Sequence, residues 1–215
     1  MKLRAFQKLS NFISSKRRFS SSNSDNTVTL YSKGLRWFHL IQAFGFIGCT
    51  VSGYFATKID WKTATKEQQQ TKSTLMNLHK SFGVIMLGAL TPRLYFRFAS
   101  KVPAHLPGFF LEKLAAKTSH FLLYTAIFWM PFSGVMMGYF SGYGVPFFQW
   151  KFIQGADKKQ AESSLYKTLS SYLYWGHVNF GKVLEYLIPL HIGAVGFHQL
   201  IKRQNILRRI NPFSK

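Results

Sequence analysis

Residues 174–198 read YWGHVNFGKVLEYLIPLHIGAVGFH, an apolar segment that contains three histidines. Two of them, His177 and His191, are 14 residues apart. On an α-helix this spacing turns the chain by about 1400°, so the two side chains lie only roughly 40° apart around the axis. The rise between them is about 21 Å, most of the way across a hydrocarbon core of about 30 Å. One face of a single membrane helix would therefore carry an imidazole near each side of the membrane.

The charge of the chain is strongly positive, with 28 Lys and Arg against 7 Asp and Glu in 215 residues. A soluble protein this basic would suggest nucleic-acid binding. Here the basic residues lie between long apolar runs, which is the pattern of a membrane protein with basic loops, and we expect no nucleic-acid partner. The single cysteine, Cys49, lies inside an apolar run, which excludes a disulfide or a thiolate metal site within the chain.

Four apolar segments are long enough to cross a bilayer, which requires about 20 residues in a helix. They cover approximately residues 35–56, 78–98, 119–140 and 172–201. Because all backbone polar groups must be satisfied inside the lipid, helices are the expected form. The sequence therefore predicts an all-α protein, in which residues 29–215 form one four-helix transmembrane bundle.

The first 28 residues have a different composition, rich in Lys, Arg and Ser and without an acidic residue before Asp25. This composition is typical of a mitochondrial transit peptide; a disordered basic tail is the alternative interpretation. With four spans, both termini and the second loop share one side of the membrane, and that side holds more Lys and Arg than the other. The predicted transit peptide indicates the mitochondrial inner membrane, and the positive-inside rule then predicts both termini in the matrix.

The depth of each histidine follows from this topology. His39 is one turn into the first helix, near the matrix. His191 lies in the fourth helix, four turns after His177, and is therefore also near the matrix side of the membrane. His79 begins the second helix and His177 is near the start of the fourth, so both lie toward the intermembrane side. Depth alone therefore pairs His39 with His191, and His79 with His177.

Two pairs of imidazoles at two membrane levels are what two bis-histidine hemes would require, because imidazole nitrogens are common axial ligands of heme iron. A lone histidine in an apolar helix is more often a hydrogen-bonded core residue. Four histidines at matching depths favour ligands, since polar groups inside a membrane are costly and usually functional. Zinc is less suitable, because each level would supply only two ligands.

Four segments resemble, in order, the prokaryotic-type cytochrome b561 family. They are YSKGLRWFH at 31–39, LHKSFGVIMLGALTPRLYFRF at 78–98, HFLLYTAIFWMPFSGVMMGYFSG at 120–142 and WGHVNFGKVLEYLIPLHIGAVGFH at 175–198. The resemblance extends from about Leu30 to Pro212. It implies a four-helix membrane cytochrome with two heme b groups, and the positions that match the family's ligands are His39, His79, His177 and His191.

The resemblance also implies a function: transfer of electrons to or from ubiquinone within or beside the respiratory chain. Whether such a chain acts as an electron carrier or as a quinone-linked oxidoreductase stays open. The alternative is an accessory or structural subunit of a respiratory complex or supercomplex that keeps its hemes without turnover of its own. The expected partners are therefore the lipid membrane, quinone and other subunits of a respiratory complex.

Three further residues are candidates for contacts with heme propionates or with quinone. Arg93 and Arg97 lie at the matrix end of the second helix, and His198 lies seven residues after His191. Their alternative roles are ordinary basic anchors at the membrane surface and an interfacial histidine.

The sequence departs from the family pattern at two places. Lys117 takes the first position of a histidine pair found in some relatives, which leaves His120 alone. Lys182 and Glu185 stand where apolar or small residues are expected. At a spacing of three residues they would neutralise one another, or Glu185 would relay protons to a reduced quinone.

Overall fold

The structure is a computed structural model, and it describes residues 30–101, 103 and 107–215. Its described part is predominantly helical, which confirms the predicted class; the predicted transit peptide, residues 1–28, lies outside the described residues. The elements, in chain order, are α1 Lys33–Thr57, α2 Lys66–Ala99, α3 Phe110–Phe140, β1 Val145–Phe147, β2 Trp150–Ile153, α4 Lys158–Ala161, α5 Ser164–Gly196, a π-helical turn Phe197–Ile201 and α6 Ile206–Ile210.

The long helices overlap the four apolar segments but begin earlier than the apolar pattern does. The clearest case is α2, which starts at Lys66 rather than near residue 78. Thr65 and Gln68 form a reciprocal capping box there: the Thr65 hydroxyl accepts from the Gln68 amide N–H at 3.3 Å, and the Gln68 side chain accepts from the Thr65 amide N–H at 2.9 Å. Such a cap satisfies two N–H groups that the helix itself leaves free, so a polar segment can start the helix before the apolar run.

Two of the described helices, α1 and α3, are long and apolar enough to cross a membrane. The other two long helices, α2 and α5, are continuous but less uniformly apolar. Polar residues lie in the capped first turns of α2 and at Lys182 and Glu185 of α5. Packing, rather than uniform hydropathy, connects the four long helices, because α2 packs against α1 and α3, and α5 packs against α3.

Close helix packing depends on glycine in α1. A Cβ atom at Gly45 would stand 2.7 Å from Cγ of Met86, and one at Gly48 would stand 2.8 Å from the ring of Phe82, both in α2. Glycine at these two positions lets side chains of α2 pack directly against the backbone of α1, and small residues are a common means of close packing between membrane helices. On the other side of the bundle, α3 packs on α5 through Ala126, Leu184 and Leu187.

The connection between α3 and α5 contains a short antiparallel hairpin, β1–β2, in which Phe147 pairs with Trp150. The hairpin is fixed to α2 on both sides of His79. The Asn77 side chain donates to the Phe148 carbonyl at 2.7 Å, and the Phe148 amide N–H donates to the Ser81 hydroxyl at 2.7 Å. The loop thus covers the end of the bundle where His79 lies.

Candidate functional site

The structure brings His79 and His177 together from α2 and α5. Their ring centroids are 6.0 Å apart and the ring planes are inclined by 78°. We call this pair the first histidine level. Two imidazoles bound to opposite faces of one iron would have ring centres about 6 Å apart, since metal–imidazole nitrogen bonds are about 2 Å long. The observed spacing therefore fits a metal between the rings.

Hydrogen bonds fix the orientation of both rings. The Nδ1 of His79 lies 2.9 Å from the Cys49 carbonyl oxygen, which can only accept, so Nδ1 carries the proton. The Nδ1 of His177 lies 2.9 Å from the Ser133 hydroxyl oxygen. That hydroxyl donates to the Trp129 carbonyl at 2.7 Å, so it accepts from His177. Both imidazoles consequently keep the Nε2 lone pair for a metal, the arrangement that oriented histidine ligands usually show.

Glycines in α1 and α3 make room for these rings. A Cβ atom at Gly53 would stand 3.0 Å from Nδ1 of His79, and one at Gly134 would stand 3.3 Å from Cε1 of His177. Beside the first level, no heavy atom lies within 4 Å of the place where a Cβ of Gly83 would stand, one turn after His79. The glycines of α1 and α3 therefore let both imidazoles lie against the neighbouring helices, and Gly83 leaves space beside them.

A second histidine level lies four turns further along α5. His191 contacts the ring of His120 from α3, with centroids 5.5 Å apart and planes inclined by 65°. His39 of α1 interacts electrostatically with both of them and with Arg93. The depth-based prediction placed His39 with His191, and the comparison with the family pattern left His120 alone. In the structure, three imidazoles share this level, and the ring that His191 contacts is that of His120.

Polar groups buried near the second level are only partly satisfied. Arg93 is 8% exposed; its Nη1 donates to the Phe38 carbonyl at 3.5 Å and its guanidinium carbon lies 5.8 Å from the centre of the Tyr124 ring. The Nε of Arg93 has no hydrogen-bond partner. Gln42, one turn after His39, is 1% exposed and neither its amide oxygen nor its nitrogen has a partner. Unsatisfied buried groups of this kind indicate a ligand, because leaving them unpaired is costly.

The other predicted contact residues occupy different environments. Arg97 is half-buried on α2. The Nδ1 of His198 lies 2.7 Å from Oε1 of Gln204, and Nε2 of that glutamine donates to the Pro107 carbonyl at 2.9 Å. Through Gln204, His198 thus helps to attach the C-terminal segment to the residues that directly precede α3. An ion pair between Lys202 and Glu112, at 2.5 Å, strengthens the same attachment.

Sequence reasoning missed the groups that orient the first level. Ser133 and the Cys49 carbonyl are recognised only when the rotation of each helix is known. The glycines at positions 53 and 134 gave a weak signal, because small residues are frequent in membrane helices. The depth of His120 could have been predicted, since it starts the third apolar segment on the side of His39, but its contact with His191 could not.

The paired imidazoles, their single Nδ1 hydrogen bonds and the buried arginine together fit heme, so the site is that of a helical b-type cytochrome. Comparison with known proteins agrees: the prokaryotic cytochrome b561 family matches residues 30–212, and the chain belongs to that family. It is 28% identical over 126 residues to cytochrome b561 homolog 2 of Escherichia coli strain K12. That match covers 58% of this chain and 64% of the length of the relative. Membership confirms the resemblance and implies a membrane protein that binds heme b.

Proposed function

We propose that this protein is a di-heme cytochrome of the mitochondrial inner membrane that transfers electrons to or from ubiquinone, beside or within the respiratory chain. One observation carries the proposal. His79 and His177 face each other at 6.0 Å between ring centroids, and both have Nδ1 engaged in a hydrogen bond. A further group of histidines lies about 21 Å away along α5, which supports a second heme.

His79 and His177 are the proposed ligands toward the intermembrane side, and His39 and His191 those toward the matrix. Heme supplies one-electron redox chemistry, whose potential depends on the axial ligands, their hydrogen bonds and their burial. The Ser133 hydroxyl and the Cys49 carbonyl are positioning groups, because each holds the Nδ1 proton of a ligand. Hydrogen bonds of this type orient the ring and make it a stronger donor to the metal.

Arg93 is the proposed partner of a heme propionate at the second level. Its Nε is unpartnered, and its guanidinium lies near His39. A guanidinium that meets a carboxylate forms strong charge-assisted hydrogen bonds, which would satisfy the buried group. Arg97 lies one turn further along α2 and extends the same positive region. His198 is the remaining candidate for a quinone or propionate contact, through the ring nitrogen that Gln204 does not occupy.

The terminal segments support the proposed placement in the membrane. The Tyr31 amide N–H donates to the Arg209 carbonyl at 3.2 Å, and Nη1 of Arg36 donates to the carbonyls of Asn211 and Ser214 at 2.7 and 2.8 Å. These contacts support termini on the same side of the membrane. The basic, serine-rich composition of residues 1–28 supports the mitochondrion, and the excess of positive charge around the termini supports the matrix side.

The accessory-subunit alternative has one observation in its favour. The loop between α3 and α5 exposes large aromatic side chains, with Tyr143 at 88% and Trp150 at 71%. Exposed aromatics of this size often mark a contact with another protein. Under this alternative the chain comigrates with a respiratory complex on a native gel and disappears when that complex is lost, whereas a free redox-active pool supports the carrier.

Heme stoichiometry and quinol oxidation test the proposal. The purified full-length protein is expected to show two b-type hemes per chain, with the reduced spectrum of bis-histidine ligation, and electron exchange with a short-chain ubiquinol. His79→Ala is expected to remove one heme and leave the other. Unchanged heme content in that variant would exclude His79 as a ligand, and intact hemes that no quinol reduces would exclude the carrier role.

A further inference from the structure

Two side chains of opposite charge lie on the outer face of α5, near the middle of the helix. The inner face is defined by Leu184 and Leu187, which are buried against Ala126 of α3. Lys182 lies about 160° around the helix from Leu184, and Glu185 about 100°, so both side chains point away from the bundle. Both are exposed, and in sequence they lie between His177 and His191, the α5 histidines of the two levels.

These charges do not neutralise each other within the helix. In the part of the chain that the structure describes, which includes both residues, no ion pair joins Lys182 to Glu185. Charged groups at this depth are costly in lipid and are usually paired. The surface around them is otherwise apolar, with Tyr186 at 79% exposure and Val183 at 46%. A protein surface with complementary charges would therefore stabilise this face.

The arrangement of the two charges is self-complementary. They are separated by about 60° around the helix and by a rise of about 4.5 Å. When two parallel copies of α5 are related by a two-fold axis that runs between these positions, each Lys182 faces the Glu185 of the other copy. Such an isologous contact forms two reciprocal ion pairs from one patch. We propose that this face of α5, defined by Lys182, Glu185, Tyr186 and Gly193, joins two copies of the chain in the membrane.

Gly193 supports a close approach on the same side. It lies about 180° around the helix from Leu184, it is exposed, and no heavy atom lies within 4 Å of the place where its Cβ would stand. Small residues on an outer face allow two helix backbones to come together in lipid. Ion pairs at this surface would be removed from water, so the contact depends strongly on the sign of each charge.

Charge reversal in two differently tagged full-length chains tests the contact. K182E gives a homodimer with four carboxylates at the interface and E185K one with four ammonium groups, so co-purification of like copies from mild detergent is expected to fall at least about tenfold. Co-expression of K182E in one copy with E185K in the other places opposite charges across the interface. This mixed pair is expected to co-purify as the unchanged chains do.

K159E and E162K are the matched controls, since Lys159, in the short helix α4, and Glu162, directly after it, are exposed at the same spacing outside α5. They are expected to leave co-purification unchanged, and circular dichroism checks that every variant is helical. The proposal is wrong if two copies of the same charge-reversed variant still co-purify. It is also wrong if folded K182E and E185K chains do not co-purify with each other. That second result is the one expected when a different protein covers this face.

Oxidative cross-linking gives a second measurement in a background with Cys49→Ser, should a charge-reversed chain fail to fold. One copy carries K182C and the other E185C, which keeps one of the two ion pairs. The mixed pair is expected to cross-link several times more than either variant with itself. Equal or absent cross-linking would overturn the two-fold arrangement.

Discussion

Replacing Ser133 by alanine removes the oxygen that accepts the Nδ1 proton of His177 at 2.9 Å. The side chain is fully buried, so water cannot readily replace it. Loss of such an outer hydrogen bond typically costs 10–100-fold in metal affinity, or about 1.4 to 2.7 kcal/mol. We therefore expect Ser133→Ala to lose heme more readily from the first histidine level.

The same substitution should change the midpoint potential of that heme. The hydrogen bond makes the imidazole a stronger donor, which favours ferric over ferrous iron, so its loss should raise the potential. A tenfold difference in binding between the two oxidation states corresponds to about 59 mV for one electron. We expect a rise of tens of millivolts for one of the two hemes and none for the other, measured by spectroscopic redox titration.

The control for Ser133→Ala is Thr125→Val on the same helix. The Thr125 hydroxyl donates to the carbonyl four residues earlier, that of Phe121, at 3.0 Å, as Ser133 does to Trp129, but Thr125 is exposed. Ser133→Thr keeps the hydroxyl and should largely retain the original potential. If Ser133→Ala leaves both potentials and the heme content unchanged, the hydrogen bond does not act on a heme ligand and the reasoning is refuted.

Further substitutions test each histidine level separately. His39→Ala should abolish the low-spin signal of the second-level heme in electron paramagnetic resonance, whereas His120→Ala should shift it without loss; the reverse result would make His120 the ligand. Gly53→Ala places a methyl group 3.0 Å from Nδ1 of His79 and should lower the heme content at the first level. The control is Gly88→Ala, whose added methyl group meets no atom within 4 Å. Equal heme content in the two glycine variants would show that the ring tolerates the added methyl.

The pairing of His79 with His177 could be predicted because helix rise fixes depth once the spans are placed. Rotation about each helix axis is not fixed in this way. For that reason the contact of His120 with His191 and the bond from His177 to Ser133 were not predicted, since both depend on how α3 turns against α5.

Polar segments were the other part of the fold that could not be predicted from the sequence. The start of α2 lies outside the apolar pattern, and only the capping box of Thr65 and Gln68 marks it. The hairpin that covers His79 is held by Asn77 and Ser81, two polar residues on α2 whose partner is distant in sequence. Hydropathy identifies what enters the membrane, but it does not identify which loop folds back on the bundle.

The hydrogen bonds between Arg36 and the C-terminal segment have a consequence for the order in which the bundle assembles. Arg36 is buried near the start of α1, yet the carbonyls that its Nη1 binds belong to Asn211 and Ser214, which lie 175 and 178 residues further along the chain. The cation of the first described helix therefore gains these acceptors only after all the later helices have been made and residues 211–214 have folded back onto α1. We expect a chain cut after residue 210 to leave the Arg36 guanidinium without both of them.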